Sequence, residues 1–114
     1  MRVYLDDERP LPADYDTYVS TADECIALLK TGKVTELSLD HDLGLYGQDK
    51  TGKTGYDVAK WIEQAIYTGE LKDLPRIRLH TQNPVGKQNM RAALCKAHTF
   101  WMERRKNEKE ETGN

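Results

Sequence analysis

Apolar residues recur along the chain in two rhythms, and each change of rhythm marks an element. RVYL, residues 2–5, is short, β-prone and closed by Asp6-Asp7, which predicts a strand running into a polar loop. Pro10 and Pro12 follow closely. Proline lacks an amide donor and restricts the residue before it, so no helix is expected directly after this strand. TYVS (17–20) is a second strand candidate. Thr21 and Glu24 then have the spacing of a capping box, with Ala22, Cys25, Ile26 and Leu29 as an apolar stripe that ends at Gly32. ELSL (36–39) predicts the third strand. Residues 44–54, GLYGQDKTGKT, have no period and read as a mobile loop.

A helix is predicted from Tyr56 to Thr68, with Val58, Ile62, Ala65 and Ile66 on one face. Pro75 breaks the chain before RIRLH (76–80), the fourth strand. Asn83 caps a last helix that has Pro84 at its first position and Met90, Ala93, Leu94, Ala97 and Trp101 on its apolar side. Beyond residue 102 the chain reads ERRKNEKEETGN. One domain is therefore expected over residues 1–102, followed by a charged, frayed tail over 103–114.

Strands alternating with helices through short connections predict an α/β fold: a small, open, mainly parallel sheet of about four strands with flanking helices. Such sheets bind ligands at the carboxyl ends of their strands. In this sequence that edge gathers Asp6, Asp7, Asp40, His41, Asp42, His80 and Thr81.

Composition narrows the functional classes. With 38% hydrophobic and 32% charged residues among 114, the core is modest and the surface strongly charged. A net charge of −2 gives no global pull toward nucleic acid or membrane, so any phosphate must be met by a local cluster. Cys25 and Cys95 have no metal-ligand spacing and read as small apolar residues in a reducing cytoplasm. MRVYLDDERP contains no long apolar stretch, so neither a signal peptide nor a membrane span is expected.

Aspartates are common where strands turn, because they accept local backbone hydrogen bonds. Four at one edge would nevertheless repel one another without a positive neighbour, such as Arg9, a protonated histidine or a divalent metal. If the third and fourth strands are adjacent, their backbones lie about 4.8 Å apart, and His41 and His80 enter one cleft. Imidazole can act as base in one copy and acid in another near neutral pH. GQDKTGKT, residues 47–54, matches the GxxxxGK[ST] lettering of a phosphate-binding loop. DHDLGLY separates it from its strand, whereas such a loop follows its strand immediately, so it is read as coincidence. Lys50 and Lys53 remain candidates to draw an anionic substrate inward, and the loop a candidate lid. Trp61 and Trp101 read as packing, Tyr46 as the one aromatic suited to a nucleobase contact, and His98 as without a role.

LDDERPLP, SLDHDLG, TGYDVAKWI and LHTQNPVGKQNM together resemble the cyclic-phosphate-processing receiver-like domain family, over roughly residues 2 to 94. The resemblance implies a receiver-like (flavodoxin-like) fold, here lacking the helix after the first strand and the fifth strand whose lysine holds a phosphoryl group. It implies a phosphoesterase acting on cyclic phosphates, with a 2′,3′-cyclic phosphate at an RNA or nucleotide end as substrate. His41 and His80 would move protons beside Asp40 and Asp42. Arg9, Thr81, Asn83 and Lys87 would bind substrate. Asp6 and Asp7 would orient the site or hold a metal, Mg²⁺ or another divalent ion being compatible but not required. No membrane or protein partner is expected. The rival is a non-catalytic receiver-like binding or signalling module with Asp40 as phosphoacceptor.

Overall fold

The computed structural model describes residues 1–8, 10–44 and 46–111, residue 111 by its backbone alone. Four strands form one sheet: β1 (Arg2–Leu5), β2 (Thr17–Val19), β3 (Glu36–Leu39) and β4 (Arg76–Leu79), in the order β2-β1-β3-β4 and parallel throughout. The three helices are α1 (Ala22–Lys30), α2 (Gly55–Thr68) and α3 (Pro84–Glu111). This is the receiver-like α/β architecture, with β1 central.

Strand register divides the sheet into two unlike faces. Val3, Leu37 and Ile77 form one row, and Leu5, Leu39 and Leu79 the next. These rows meet Ala22, Cys25 and Leu29 of α1, Val58, Ile62 and Ile66 of α2, and Met90, Ala93 and Ala97 of α3 in a single core. All three helices cover that face. Chain direction explains it: β2→β3 and β3→β4 step the same way across the sheet, and right-handed crossovers then place both helices on one side. The β1→β2 link steps the other way and would put a helix on the opposite face. Among the described residues of that link no helix forms, as its prolines predict. Tyr4, Ser38 and Arg78 occupy this second face, and Tyr15 from the link packs edge-on against Tyr4 at 5.4 Å.

Capping follows local chemistry. Thr21 Oγ1 accepts from the Glu24 amide at 3.2 Å and donates to the Glu24 carboxylate at 2.8 Å, so Glu24 binds the cap's hydroxyl rather than completing a capping box. The complete box lies on α2, between Thr54 and Asp57. Helix α3 does not fray at residue 103 but runs to Glu111. Arg104 Nη1 donates to the carbonyls of Leu71 and Lys72 at 3.1 and 3.0 Å, tying this half of the helix to the α2–β4 connection. No helix of the described residues is long and apolar enough to cross a membrane.

Candidate active site

The parallel ladder continues one residue past β1, β3 and β4. The Asp6 amide donates to Val19, that of Asp40 to Leu5, and that of His80 to Leu39. Side chains alternate along a strand, so Asp6, Asp40 and His80 share the face of Tyr4, Ser38 and Arg78. Their ligand atoms all lie within 4.8 Å of one another. Asp6 is only 1% exposed.

His80 is held on several sides. Its ring stacks on Tyr4 with centroids 4.3 Å apart and planes 5° from parallel. Its Nδ1 lies 2.7 Å from Ser38 Oγ, and its Nε2 3.0 Å from Asp6 Oδ2. Ser38 stands on the strand between Tyr4 and His80, and its small side chain lets the two rings meet above it. Sequence reasoning missed both Tyr4 and Ser38. The available signal was a hydroxyl in the apolar run ELSL, in phase with Asp40.

Burial and the nearby charge of Asp6 raise the Asp40 carboxyl above its ordinary value, against hydrogen bonding from Thr81 and the charge of His80. The Thr81 hydroxyl that serves Asp40 also accepts the Asn83 amide at 3.1 Å, so the turn before α3 fixes it. Asp6 Oδ1 accepts the Glu8 amide at 2.9 Å, and Asp7 Oδ2 that of Gly44 at 2.7 Å. Asp6, Asp7, Glu8, Asp40, Asp42, Gly44, Thr81 and Gln82 line a cleft of about 190 Å³. That is below the ~300 Å³ at which sites for whole small molecules begin, so the cleft has room for a small group or an ion and not for a whole ligand.

His41 takes a different position. Gly55 opens α2 where a Cβ would overlap the Asp40 carbonyl, and its amide donates to the His41 carbonyl at 2.9 Å. A Cβ at Gly86, in the first turn of α3, would overlap the His41 ring. Two glycines thus let two helix N-termini close on the Asp40–His41–Asp42 turn. His41 Nδ1 lies 2.7 Å from Asp42 Oδ1, and the side chain is 16% exposed. That hydrogen bond, helped by one from Asn83, holds the Asp42 carboxyl below the usual range despite some burial.

Asn83 caps α3: its Oδ1 accepts the Gly86 amide at 2.9 Å, while its Nδ2 donates to Asp42 at 3.1 Å. The described lining of the acidic cleft contains neither His41 nor a lysine or arginine. Lys87 instead lines a separate groove between β4 and α3, where it comes from the helix side, and His98 lies there too. Arg9 falls outside the described residues. Tyr46 is 94% exposed, and Trp61 and Trp101 pack against the core.

The loop expected to be mobile is tied down. Asp49 Oδ1 accepts from the Thr51 amide (2.8 Å), the Thr51 hydroxyl (2.6 Å) and the Lys53 amide (3.1 Å), and Oδ2 accepts from the Ala22 amide at the start of α1 (2.9 Å). Lys53 Nζ lies 2.6 Å from Asp23. The amides of Thr51 and Lys53 thus face an anion supplied by the chain itself, which agrees with the rejection of a phosphate-binding loop.

No curated protein and no solved structure matches the chain. Residues 1–96 match the sequence model of the family described as the cyclic-phosphate processing receiver domain. With that match spanning most of the chain, and with the acidic strand ends and parallel receiver-like sheet described above, the protein belongs to the cyclic-phosphate processing receiver domain family.

Proposed function

We propose that the protein is a phosphoesterase that opens a cyclic phosphate, with a 2′,3′-cyclic phosphate end of RNA or of a nucleotide as its substrate. The observation that carries this reading is that two imidazoles at the ends of adjacent strands are each oriented by a carboxylate: His41 by Asp42 and His80 by Asp6. Asp42 accepts the Nδ1 proton of His41 and leaves Nε2 to take a proton from water. As the acid, His80 is the imidazolium, with its Nε2–H held by Asp6 and its Nδ1–H by Ser38 Oγ. Water forms the new P–O bond and gives its proton to His41. The bond to the departing sugar oxygen breaks, and that oxygen receives the Nε2 proton of the His80 imidazolium in place of Asp6, leaving His80 neutral and His41 charged. The cyclic diester becomes a monoester. Arg9, Thr81 and Asn83 are the proposed substrate contacts, without Lys87, which lines the separate groove between β4 and α3. Free thiols at Cys25 and Cys95 suit a cytoplasmic setting.

A second reading rests on the cluster of Asp6, Asp40 and His80. Burial and the neighbouring Asp6 both raise the Asp40 carboxyl, and with their ligand atoms this close the three residues would hold a divalent cation, with Asp7 beside them. The ion would supply Lewis-acid stabilisation of a phosphoryl oxygen, and His80 would then be a ligand and not the acid.

Turnover of a 2′,3′-cyclic nucleotide, followed by phosphorus NMR beside 3′,5′-cyclic and linear diesters, with and without chelator, tests both readings. Chelator-resistant conversion of the 2′,3′-cyclic substrate to a monoester is the expected result. Loss of that activity in chelator selects the metal reading. Failure to convert any phosphoester overturns both. In that event, an adduct in intact-mass spectra after incubation with a small phosphodonor selects the signalling module with Asp40 as acceptor.

A further inference from the structure

Among the described residues the sheet stops at β4. The amides of Arg76 and His80 donate to Thr35 and Leu39 on the β3 side. In a parallel ladder alternate residues face alternate neighbours, so the amides and carbonyls of Ile77 and Leu79 point outward. The core rows are unfinished at the same place. Val3, Leu37, Leu5 and Leu39 are fully buried, whereas Ile77 and Leu79 at the ends of their rows remain partly exposed. Beside this edge a groove of about 830 Å³ runs between β4 and α3. Leu94 forms part of its floor. Arg76, Arg78, Lys87 and Arg91 are among its lining residues, which include no aspartate or glutamate. Arg76 shares the single Glu36 carboxylate with Arg2, each at 3.8 Å, so positive charge stays in excess.

We propose that this groove takes an extended acidic segment of a partner protein, added to β4 as a fifth strand. Side chains of such a strand alternate between faces. One set, apolar, would complete the Ile77 and Leu79 rows over Leu94. The other set, acidic, would lie opposite Arg76 and Arg78. Main-chain hydrogen bonds to the outward groups of Ile77 and Leu79 provide affinity, and the charges provide selection. A second copy of this chain fits poorly, because edge-to-edge pairing sets arginines against arginines. Single-stranded RNA usually binds on aromatic platforms, and no Phe, Tyr or Trp lines the groove.

The test uses the full chain and a fluorescent peptide of about six residues alternating Val and Glu, its Val/Lys counterpart, and a single-stranded RNA oligonucleotide. Anisotropy reads binding, and amide hydrogen exchange reads the edge. The Val/Glu peptide should bind and protect the amides of Ile77 and Leu79, while the Val/Lys peptide should not. Arg91→Glu, on the exposed side of α3, should weaken binding by about tenfold, and Arg78→Glu/Arg91→Glu by more. The double variant should now accept the Val/Lys peptide. Turnover of a cyclic phosphate should be unchanged in both variants, which keeps this proposal separable from the catalytic one. Unaltered exchange at Ile77 and Leu79 with saturating peptide would overturn it. So would RNA binding lost in the same variants without peptide binding, or a concentration-dependent dimer that protects the same amides.

Discussion

Asp40 and Asp49 are the same side chain at the two ends of one connection, and the fold treats them in opposite ways. Burial opposes ionisation of both. Around Asp49, the Thr51 hydroxyl and the amides of Ala22, Lys53 and Thr51 outweigh it and hold the carboxyl at about 2. Around Asp40, burial is reinforced by the charge of Asp6 and only partly offset by Thr81 and His80, so the carboxyl is raised. A carboxylate supplied with backbone donors becomes a structural anion. One buried beside another carboxylate holds its proton more readily and is better placed to meet a cation. On the proposed reading the end of the connection carrying Asp40 is the working end, and the hydrogen bonds of Asp49 make the other a fastening.

The sharpest way to break that comparison is to remove the imidazoles at the working end. His41→Ala and His80→Ala should each slow opening of a cyclic phosphate by about 10²–10⁴-fold, and the double variant should lose far less than the product of the two. Because one imidazole must be neutral while the other is charged, the pH–rate profile should be bell-shaped. His98→Ala, in the β4–α3 groove, should be silent. His80 is not the solvent-facing strand-end residue that its sequence position suggests, since its side chain is 15% exposed, stacked on Tyr4 and bonded to buried Asp6. Its rates must therefore be read on protein shown to be folded by circular dichroism, with His80→Gln as a gentler partner. Unchanged turnover in both histidine variants would remove the proton-transfer pair.

The two aspartates should respond to substitution with opposite signs. Asp49→Ala should cost about 1–2 kcal/mol, the range of a lost helix cap with its added hydrogen bonds. The melting temperature should fall by about 5–15 °C in a domain of this size. Asp49 has a folded-state carboxyl at about 2 against an ordinary value of 3.8, so its contribution is complete above the ordinary value and lost as pH falls from there toward 2. Asp40→Asn should raise the melting temperature near neutral pH, because the fold penalises the ionised form. That advantage should shrink as pH falls and the native Asp40 takes up its proton. Added Mg²⁺ should stabilise the native protein but not Asp40→Asn if the acidic cluster holds the ion. A lower melting temperature for Asp40→Asn would show that the carboxylate is a fastening after all.

The hydrophobic rhythm made the four strands and the missing first helix legible, because Val3, Leu5, Leu37 and Leu39 repeat at period two and Pro10 and Pro12 forbid the helix. Convergence of Asp6, Asp40 and His80 was legible for the same reason: parallel strands end together. Less visible were relations made through backbone groups distant in sequence. Nothing near Asp49 marks the Ala22 amide as its partner, so its loop read as mobile. The overlap between Gly86 and the His41 ring is a tertiary close approach that leaves no pattern in either segment. The charged run after residue 102 has no apolar period, and its helical course is secured in part by Arg104 reaching the Leu71 and Lys72 carbonyls.

The smallest effect is expected from Lys53→Ala, and it bears on what the GQDKTGKT loop is for. In a nucleotide-binding loop the lysine would reach a phosphate and the following amides would cradle it. Here Lys53 pairs with Asp23, with both side chains substantially exposed, and such surface pairs contribute only about 0.2–1 kcal/mol. The variant should therefore melt within a few degrees of the native protein, and the difference should fade at high salt as the pair is screened. Calorimetry should detect no ATP binding to the native protein, with or without Mg²⁺, since the Thr51 and Lys53 amides already serve the Asp49 carboxylate. Freeing those amides in Asp49→Ala should not create ATP binding either, because the segment DHDLGLY still separates the loop from β3. Tight Mg²⁺-dependent ATP binding that disappears in Lys53→Ala would reverse the assignment and make the fastened end of the connection a second working site.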